Sequence, residues 1–245
     1  MSDSIIIIPT YNEKENIERM IRTIFLLPKQ FHILIVDDNS PDGTAGIVLN
    51  LQRKFPEQLF MISREGKLGL GTAYLAGFRW ALENNYQFIF EMDADFSHDP
   101  NELINLYHAC ADGGADLAIG SRYISGINVI NWPLKRVLMS YLASKYVRMV
   151  TGMTIMDTTA GFKCFKRSVL DGLDLDRIRM KGYGFQIEMK FKTWKLGFQI
   201  REVPIIFTDR KEGASKMSGG IFGEAFKGVI KMKIASYFTN PGKKK

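Results

Sequence analysis

Short unbroken apolar runs alternate with segments of helical period through the first half of this chain, which restricts it to few folds. Ile5–Ile8 stops at Pro9, and His32–Val36 stops at Asp37-Asp38. Neither run alternates polar with apolar residues, so each predicts a strand buried on both faces. Between them, Glu15–Leu27 carries apolar residues at 17, 20, 21, 24 and 25, the spacing of one helix face. Strand, helix, strand at this separation is a βαβ unit. The pattern repeats: helices over Asp42–Phe55, Gly71–Asn84 and Pro100–Asp112, and strands over Leu59–Ile62, Gln87–Met92 and Ala115–Gly120. The expected fold class is α/β, an open and mostly parallel central sheet flanked by helices. Such sheets take ligands beyond the carboxyl ends of their strands. Those ends carry Pro9-Thr10-Tyr11, Asp37-Asp38 and Asp93-Ala94-Asp95.

The second half is less regular. Leu134–Val150 and Gly182–Leu196 read as helices, Gln199–Phe207 as a strand, and Thr208–Gly220 as a polar loop. Phe222, Phe226, Val229, Ile230, Ile234 and Tyr237 then form an apolar stripe, and the sequence ends in three lysines. Amphipathicity alone leaves two uses for this segment: packing on the domain, or lying on a membrane.

Charge narrows the partners. The net charge is +7, which favours anionic ones: nucleic acid, phosphorylated molecules or an anionic membrane face. No nucleic-acid motif or aromatic-basic platform is present, so nucleic acid is not expected. The two cysteines make no disulfide framework and no zinc pattern, as in a cytoplasmic protein. No apolar run approaches the roughly 18 residues of a membrane span. No basic n-region precedes the first apolar run, so a cleaved export signal is not expected.

Four constellations carry chemistry. Asp93 and Asp95, at the exit of a central strand, make a hard-oxygen site suited to Mg²⁺ or Mn²⁺ with a diphosphate; read alone, the same residues also fit a solvated turn. Asp37-Asp38 ends a second strand, where an acidic residue bonds ribose hydroxyls or a base edge, and Asp42 fits a cap on the next helix. Gly66–Thr72 is glycine-rich before a helix but lacks both the P-loop ending and the dinucleotide fingerprint, so it reads as a turn. Arg210–Lys216 is a basic, glycine-hinged loop able to close on phosphates, or a solvated loop. Arg122, and the pair Arg136 and Ser140 on one helix face, add further phosphate donors.

Ile-Ile-Pro-Thr-Tyr-Asn-Glu (7–13), Val-Asp-Asp-Asn-Ser-Pro-Asp-Gly-Thr (36–44), Gly-Leu-Gly-Thr-Ala-Tyr (69–74), Met-Asp-Ala-Asp-Phe-Ser-His-Asp-Pro (92–100), Gly-Ser-Arg-Tyr (120–123), Ala-Gly-Phe-Lys (160–163) and Glu-Gly-Ala-Ser-Lys-Met (212–217) together resemble glycosyltransferase family 2. Within it they are most similar to the dolichyl-phosphate (polyprenyl-phosphate) mannose synthases. The resemblance covers about residues 4–220.

It implies a GT-A fold with a Rossmann-like nucleotide-binding half and an inverting transfer from a nucleotide diphosphate-sugar, typically GDP-mannose, to a polyprenyl phosphate. UDP-glucose or UDP-GlcNAc, with a polyprenyl phosphate or a glycan hydroxyl as acceptor, is the alternative. A hydroxyl acceptor requires a base, for which Asp157 is the candidate. By position, Pro9, Tyr11, Glu13, Val36 and Asp38 match the nucleotide pocket. Asp93, Ala94 and Asp95 match the diphosphate site, with the two carboxylates on Mg²⁺ or Mn²⁺. Arg122, Arg136 and Ser140 match the acceptor-phosphate side, and Arg210 and Lys216 the clamp on the donor phosphates. Asp95, Arg122, Arg136 and Arg210 are expected to carry the chemistry. Ser97 departs from relatives that carry Gln there, a weaker metal ligand. Residues 1–220 are expected to form the catalytic domain and 221–245 a C-terminal helix and basic tail. The expected location is peripheral, at the cytoplasmic face of a membrane, directly or through a membrane-anchoring protein.

Overall fold

A computed structural model describes residues 2–180, 182–209, 220–239 and 242. Its centre is β1 (Ser4–Thr10), flanked in the sheet by β2 (His32–Asp37) and β4 (Phe88–Glu91). The isoleucine run is buried on both faces because the sheet is covered on both sides. Ile5 and Ile7 enter one apolar core, and Ile6 and Ile8 enter the other. All four are fully buried, each contributing about 2 kcal/mol as an upper estimate.

Helices α1 (Ile17–Phe25), α2 (Thr44–Gln52) and α4 (Glu102–Ala111) feed one core; α3 (Leu70–Glu83), α5 (Leu134–Thr151) and α7 (Tyr183–Lys195) feed the other. Helices α1, α2 and α4 each start two residues later than the sequence periods indicate, α3 starts one residue earlier, and for α2 a side chain outside the helix takes over a first donor. Asp42 accepts the Thr44 amide at 3.0 Å from before α2, and Gly43 turns the chain at φ 92°.

With β3 (Leu59–Ser63), β5 (Leu117–Ser121), β7 (Lys163–Lys166) and β8 (Ile200–Pro204), the sheet has seven strands in the order β3-β2-β1-β4-β7-β5-β8. Strands β1 to β4 are mutually parallel, and β5 is parallel to β8. Strand β7 runs antiparallel between β4 and β5. It has no visible sequence period: four residues with a lysine at each end, one of them, Lys163, fully buried. The strand expected over Gln199–Phe207 is two strands. Edge strand β8 ends at Pro204, which has no amide to continue a ladder, and β9 (Phe207–Thr208) pairs with β6 (Val129–Ile130).

The connections leave β1 in one direction towards β3, then restart on its other side at β4. The loops after β1, β2 and β4 therefore open onto a switch point, where sheets of this kind bind ligands. The remaining α-helices are the short α6 (Arg167–Gly172) and the 16-residue α8 (Gly220–Ala235). Helix α8 packs on α5 and α7: Val229 is buried, and Tyr146 stacks on Phe226 at 4.0 Å. Ile230, Ile234, Tyr237 and Phe238 remain exposed. Among the described residues no helix is long and apolar enough to cross a membrane.

Candidate active site

The first wall of the crevice is the stitched pair of loops after β1 and β2. Pro9 and Val36 are register partners. Asp37 is tied up locally, accepting from Thr10 Oγ1 at 2.7 Å and from Ser40 Oγ at 2.6 Å. Asn12, at φ 57°, donates its amide to Ser40 Oγ, and Glu13 donates its amide to Thr44 Oγ1. Tyr11 lies between these anchors with Lys67 Nζ 5.0 Å from its ring centre. Asp38 is the carboxylate facing the crevice, and it is ion-paired with Arg64, whose Nε reaches Oδ1 at 2.6 Å. Arg64 also donates to Thr72 Oγ1 at 2.7 Å, which ties this wall to the start of α3. Nothing in the sequence marks Arg64; only the β2–β3 register brings it to Asp38. The glycine-rich segment is read as a turn, and the structure adds a close packing contact to it. Gly69 holds φ 103° before α3, and a Cβ on Gly71 would meet the Phe185 ring at 2.8 Å.

Asp93-Ala94-Asp95 follows β4 directly. Asp95 is buried, with Oδ1 accepting the Ser97 amide at 3.0 Å. Tyr74 Oη donates to Asp93 Oδ1 at 3.5 Å; burial first, and Asp93 second, push its phenol well above the usual range, so it stays a donor. Phe96 holds a left-handed φ of 58° with Arg19 over its ring, strain of a kind that concentrates at functional loops. His98 is the loop's inner support. Its ring stacks on Phe162, and Nδ1 accepts the Asp93 amide at 3.4 Å. Burial lowers its pKa despite Asp93 and Asp95, so the imidazole is neutral and its proton sits on Nε2.

Two carboxylates one residue apart suit a hard divalent cation whose remaining ligands are diphosphate oxygens and water. Among the described residues no cluster of three or more protein ligands exists. Ser97 donates its amide to Asp95, and its carbonyl accepts the Thr208 amide at 3.3 Å.

Beneath this loop lies a buried charge network that the sequence reading missed. Lys163 reaches Glu91 at 3.0 Å, and Gln186 Nε2 donates to Glu91 Oε2 at 2.8 Å, all three side chains buried. Burial pushes Glu91 up and Lys163 down, and each charge opposes the other's shift. Lys190 donates to the carbonyls of Thr158 and Ala160, pinning the loop that presents Asp157.

The opposite wall is built on Arg122, just past β5. Asp157 takes its amide at 3.0 Å, its Nε at 2.7 Å and its Nη2 at 2.6 Å. Burial alone would lower the arginine's pKa, but Asp157 more than offsets it and raises it further. Around Arg122 stand Tyr123, Trp132 and Phe207, within 5.6 Å of the guanidinium carbon. Arg136, in the first turn of α5, lies 4.1 Å over the same Trp132 ring and pairs with Asp209 at 2.8 Å. Ser140 sits one turn on, beside Tyr123. The structure therefore unites Arg122, Arg136 and Ser140 on one wall, and Pro9, Tyr11, Glu13, Val36 and Asp38 on the other. Asp93, Asp95 and Arg122 are all close enough to His98 for their charges to act on it. Arg210 and Lys216 lie outside the described residues.

A family model described as glycosyl transferase family 2 matches residues 5–173. The chain belongs to glycosyltransferase family 2. It is 47% identical over 222 residues to the polyprenol monophosphomannose synthase of Mycolicibacterium smegmatis, covering 91% of this chain and 83% of that one. It is 44% identical over 230 residues to the undecaprenyl-phosphate mannosyltransferase of Micrococcus luteus, covering 94% and 93%. Among solved structures it is similar to glucosyl-3-phosphoglycerate synthase from Mycobacterium tuberculosis in complex with Mn²⁺, UDP and glucosyl-3-phosphoglycerate. That match has a TM-score of 0.67 at 18% identity and covers 95% of this chain and 79% of that one. The α/β sheet is thus the GT-A fold, and the protein is a glycosyltransferase.

Proposed function

We propose that this glycosyltransferase transfers mannose, with inversion, from a nucleotide diphosphate-mannose to the phosphate of a polyprenyl lipid. The observation that carries the phosphate acceptor is the condition of Asp157. A hydroxyl acceptor needs a carboxylate free to take its proton. Asp157 is fully buried and spends both oxygens on Arg122. Glu202, the next carboxylate on this wall, accepts the amides of Met156 and Asp157 and the Ser121 hydroxyl. What the wall offers is two guanidiniums. That suits an acceptor that arrives already ionised and needs only orientation for in-line attack. The names of the two relatives support the same reading.

Asp93 and Asp95 hold Mg²⁺ or Mn²⁺, which when bound supplies Lewis-acid stabilisation of the departing diphosphate. The Mn²⁺ in the M. tuberculosis structure supports a divalent ion without choosing between the two. The stitched loops around Pro9, Tyr11, Glu13, Val36 and Asp38 hold the nucleoside, guanosine by the family resemblance. Arg210 and Lys216 add fixed positive charge on the donor phosphates. Arg122 and Arg136 hold the acceptor.

The lipid substrate places the protein at a membrane surface, by the resemblance the cytoplasmic face. Leu134, Leu138, Leu142 and Met149 on α5, and Ile230, Ile234 and Phe238 on and after α8, are exposed apolar groups interspersed with lysines. That composition suits an anionic bilayer.

A transfer assay tests the reading: purified protein, Mg²⁺ or Mn²⁺, a short polyprenyl phosphate, and radiolabelled GDP-mannose, UDP-glucose or UDP-GlcNAc. Lipid-linked mannose from GDP-mannose alone is the expected result. Metal-dependent donor hydrolysis without lipid product from any donor overturns the lipid-phosphate acceptor.

A further inference from the structure

Trp132 stands where the two arginines of the acceptor wall meet, and the site as described assigns it no role. Its ring centre is 4.1 Å from the Arg136 guanidinium and 5.4 Å from that of Arg122. Phe207 packs edge-on against it at 5.2 Å, which fixes the plane of the indole. Its Nε1–H is enclosed, yet among the described residues it has no hydrogen-bond partner. An orphaned buried donor is rare, and an indole N–H has no acceptor capacity with which to satisfy itself otherwise.

The first turn of α5 contains no acidic residue and holds Lys135 and Arg136 at the positive end of the helix dipole. Among the described residues Asp157 is committed to Arg122, and Asp209 pairs with Arg136 at a partly exposed position. An oxyanion held between the two guanidiniums, against this ring, would give the orphan donor an acceptor.

We propose that Trp132 is a binding residue for the acceptor phosphate: its N–H donates to a phosphate oxygen while its face holds Arg136 at stacking distance. The proposal rests on the reading of Arg122 and Arg136 as the acceptor-phosphate wall. It separates the two halves of the tryptophan. The ring organises Arg136, and the N–H touches the substrate.

Trp132→Phe keeps the stacking ring and deletes only the donor. Its KM for farnesyl phosphate is expected to rise about tenfold, the worth of one hydrogen bond to a charged group, with the KM for the nucleotide-sugar unchanged. The direct readout uses the wild-type protein. Its three tryptophans give three indole N–H signals by NMR, and the Trp132→Phe spectrum identifies the one that belongs to Trp132. That signal is expected to move downfield on adding farnesyl phosphate and to stay still with farnesol. Inorganic phosphate is the arm that separates headgroup from lipid. A shift with it shows that the phosphate group suffices, and a shift only with farnesyl phosphate shows that the chain must deliver it. An unmoved Trp132 signal at saturating farnesyl phosphate, or an unchanged acceptor KM in Trp132→Phe while Arg136→Ala still raises it, overturns the role of Trp132 alone. If Arg136→Ala also leaves the acceptor KM unchanged, the acceptor wall itself is misassigned and the proposal falls with it.

Discussion

Asp157→Ala is the sharpest perturbation of this site, because it removes one half of a buried ion pair and leaves the other in place. Arg122 and Asp157 have side chains 8% and 0% exposed, and three donor atoms of Arg122 converge on the one carboxylate. The pair's own net contribution is small, since desolvation offsets much of the attraction. Breaking it by deleting one partner is different: an uncompensated guanidinium stays buried, at a cost of about 3–5 kcal/mol. For a domain of 245 residues each kcal/mol lowers Tm by roughly 2–4 °C, so the variant is expected to melt about 6–20 °C below the wild type. The cost is large against a total stability of about 5–15 kcal/mol, yet the protein remains folded at low temperature. There, the freed Arg122 loses its fixed orientation, and the acceptor KM rises.

The same pair sets a pH dependence of known sign. Burial works to raise the Asp157 pKa, but Arg122, by charge and then by hydrogen bonding, holds it below the ordinary value of 3.8. A depressed native pKa contributes stability that is present above the unfolded value and is lost as pH falls through the native one. The gap between wild type and Asp157→Ala is therefore expected to be constant from pH 7 to about 5 and to close below about 4. Thermal melts across that range read it directly. The double variant Arg122→Ala/Asp157→Ala removes the stranded charge and is expected to melt higher than the sum of the singles implies, by about 2 kcal/mol. A single variant melting within about 2 °C of wild type, or strictly additive singles, refutes the argument that this pair is buried and mutually dependent.

Asp95→Ala is expected to lower transfer by about a thousandfold or more, the equivalent of roughly 4 kcal/mol of transition-state stabilisation, with nucleotide binding partly kept; assays with and without added Mn²⁺ or Mg²⁺ check it. Lys163→Met strands Glu91, and a Tm loss like that of Asp157→Ala should appear, partly repaired by adding Glu91→Gln. Gly77→Ala drives a Cβ to within 2.6 Å of Ile7 in the central strand; a loss of about 1–3 kcal/mol in denaturant melts is expected, with the activity of the folded fraction unchanged. Ile234→Glu with Phe238→Glu, on exposed positions, is expected to reduce co-sedimentation with anionic vesicles while leaving transfer to a soluble short-chain acceptor intact.

The crevice residues proposed for the donor are legible in the sequence because their signals are local. Apolar runs give strands β1, β2 and β4, and the polar residues that end them fall at the switch point without any knowledge of pairing. Strand β7 is illegible for the opposite reason. Lys163 reads as a surface residue until its neighbours in the sheet are known, and Glu91, which makes its burial tolerable, lies on β4. Arg64 is hidden in the same way, since its partner Asp38 is fixed by the register of β2 with β3. Asp157 is legible as a candidate but not as to role: a base and a guanidinium's counter-ion are the same residue type, and only the 2.6 Å and 2.7 Å contacts to Arg122 decide.

That decision bears on the chemistry of the whole site. A family-2 site acting on a hydroxyl must keep one carboxylate solvated enough to accept a proton. On the wall proposed for the acceptor the carboxylates are paired instead: Asp157, buried, with Arg122, Glu202 with backbone amides, and Asp209, partly exposed, with Arg136. A wall that fixes two arginines and stacks one of them on Trp132 is organised to receive negative charge rather than to generate it. An alcohol brought to the same wall would meet donors where it needs an acceptor. The polyprenol corresponding to the phosphate acceptor is therefore expected to be neither a substrate nor a competitive inhibitor at concentrations that saturate with the phosphate. Transfer to the alcohol at a comparable rate would mean that a base outside the described residues serves the reaction, and that the committed carboxylates are not what selects the acceptor.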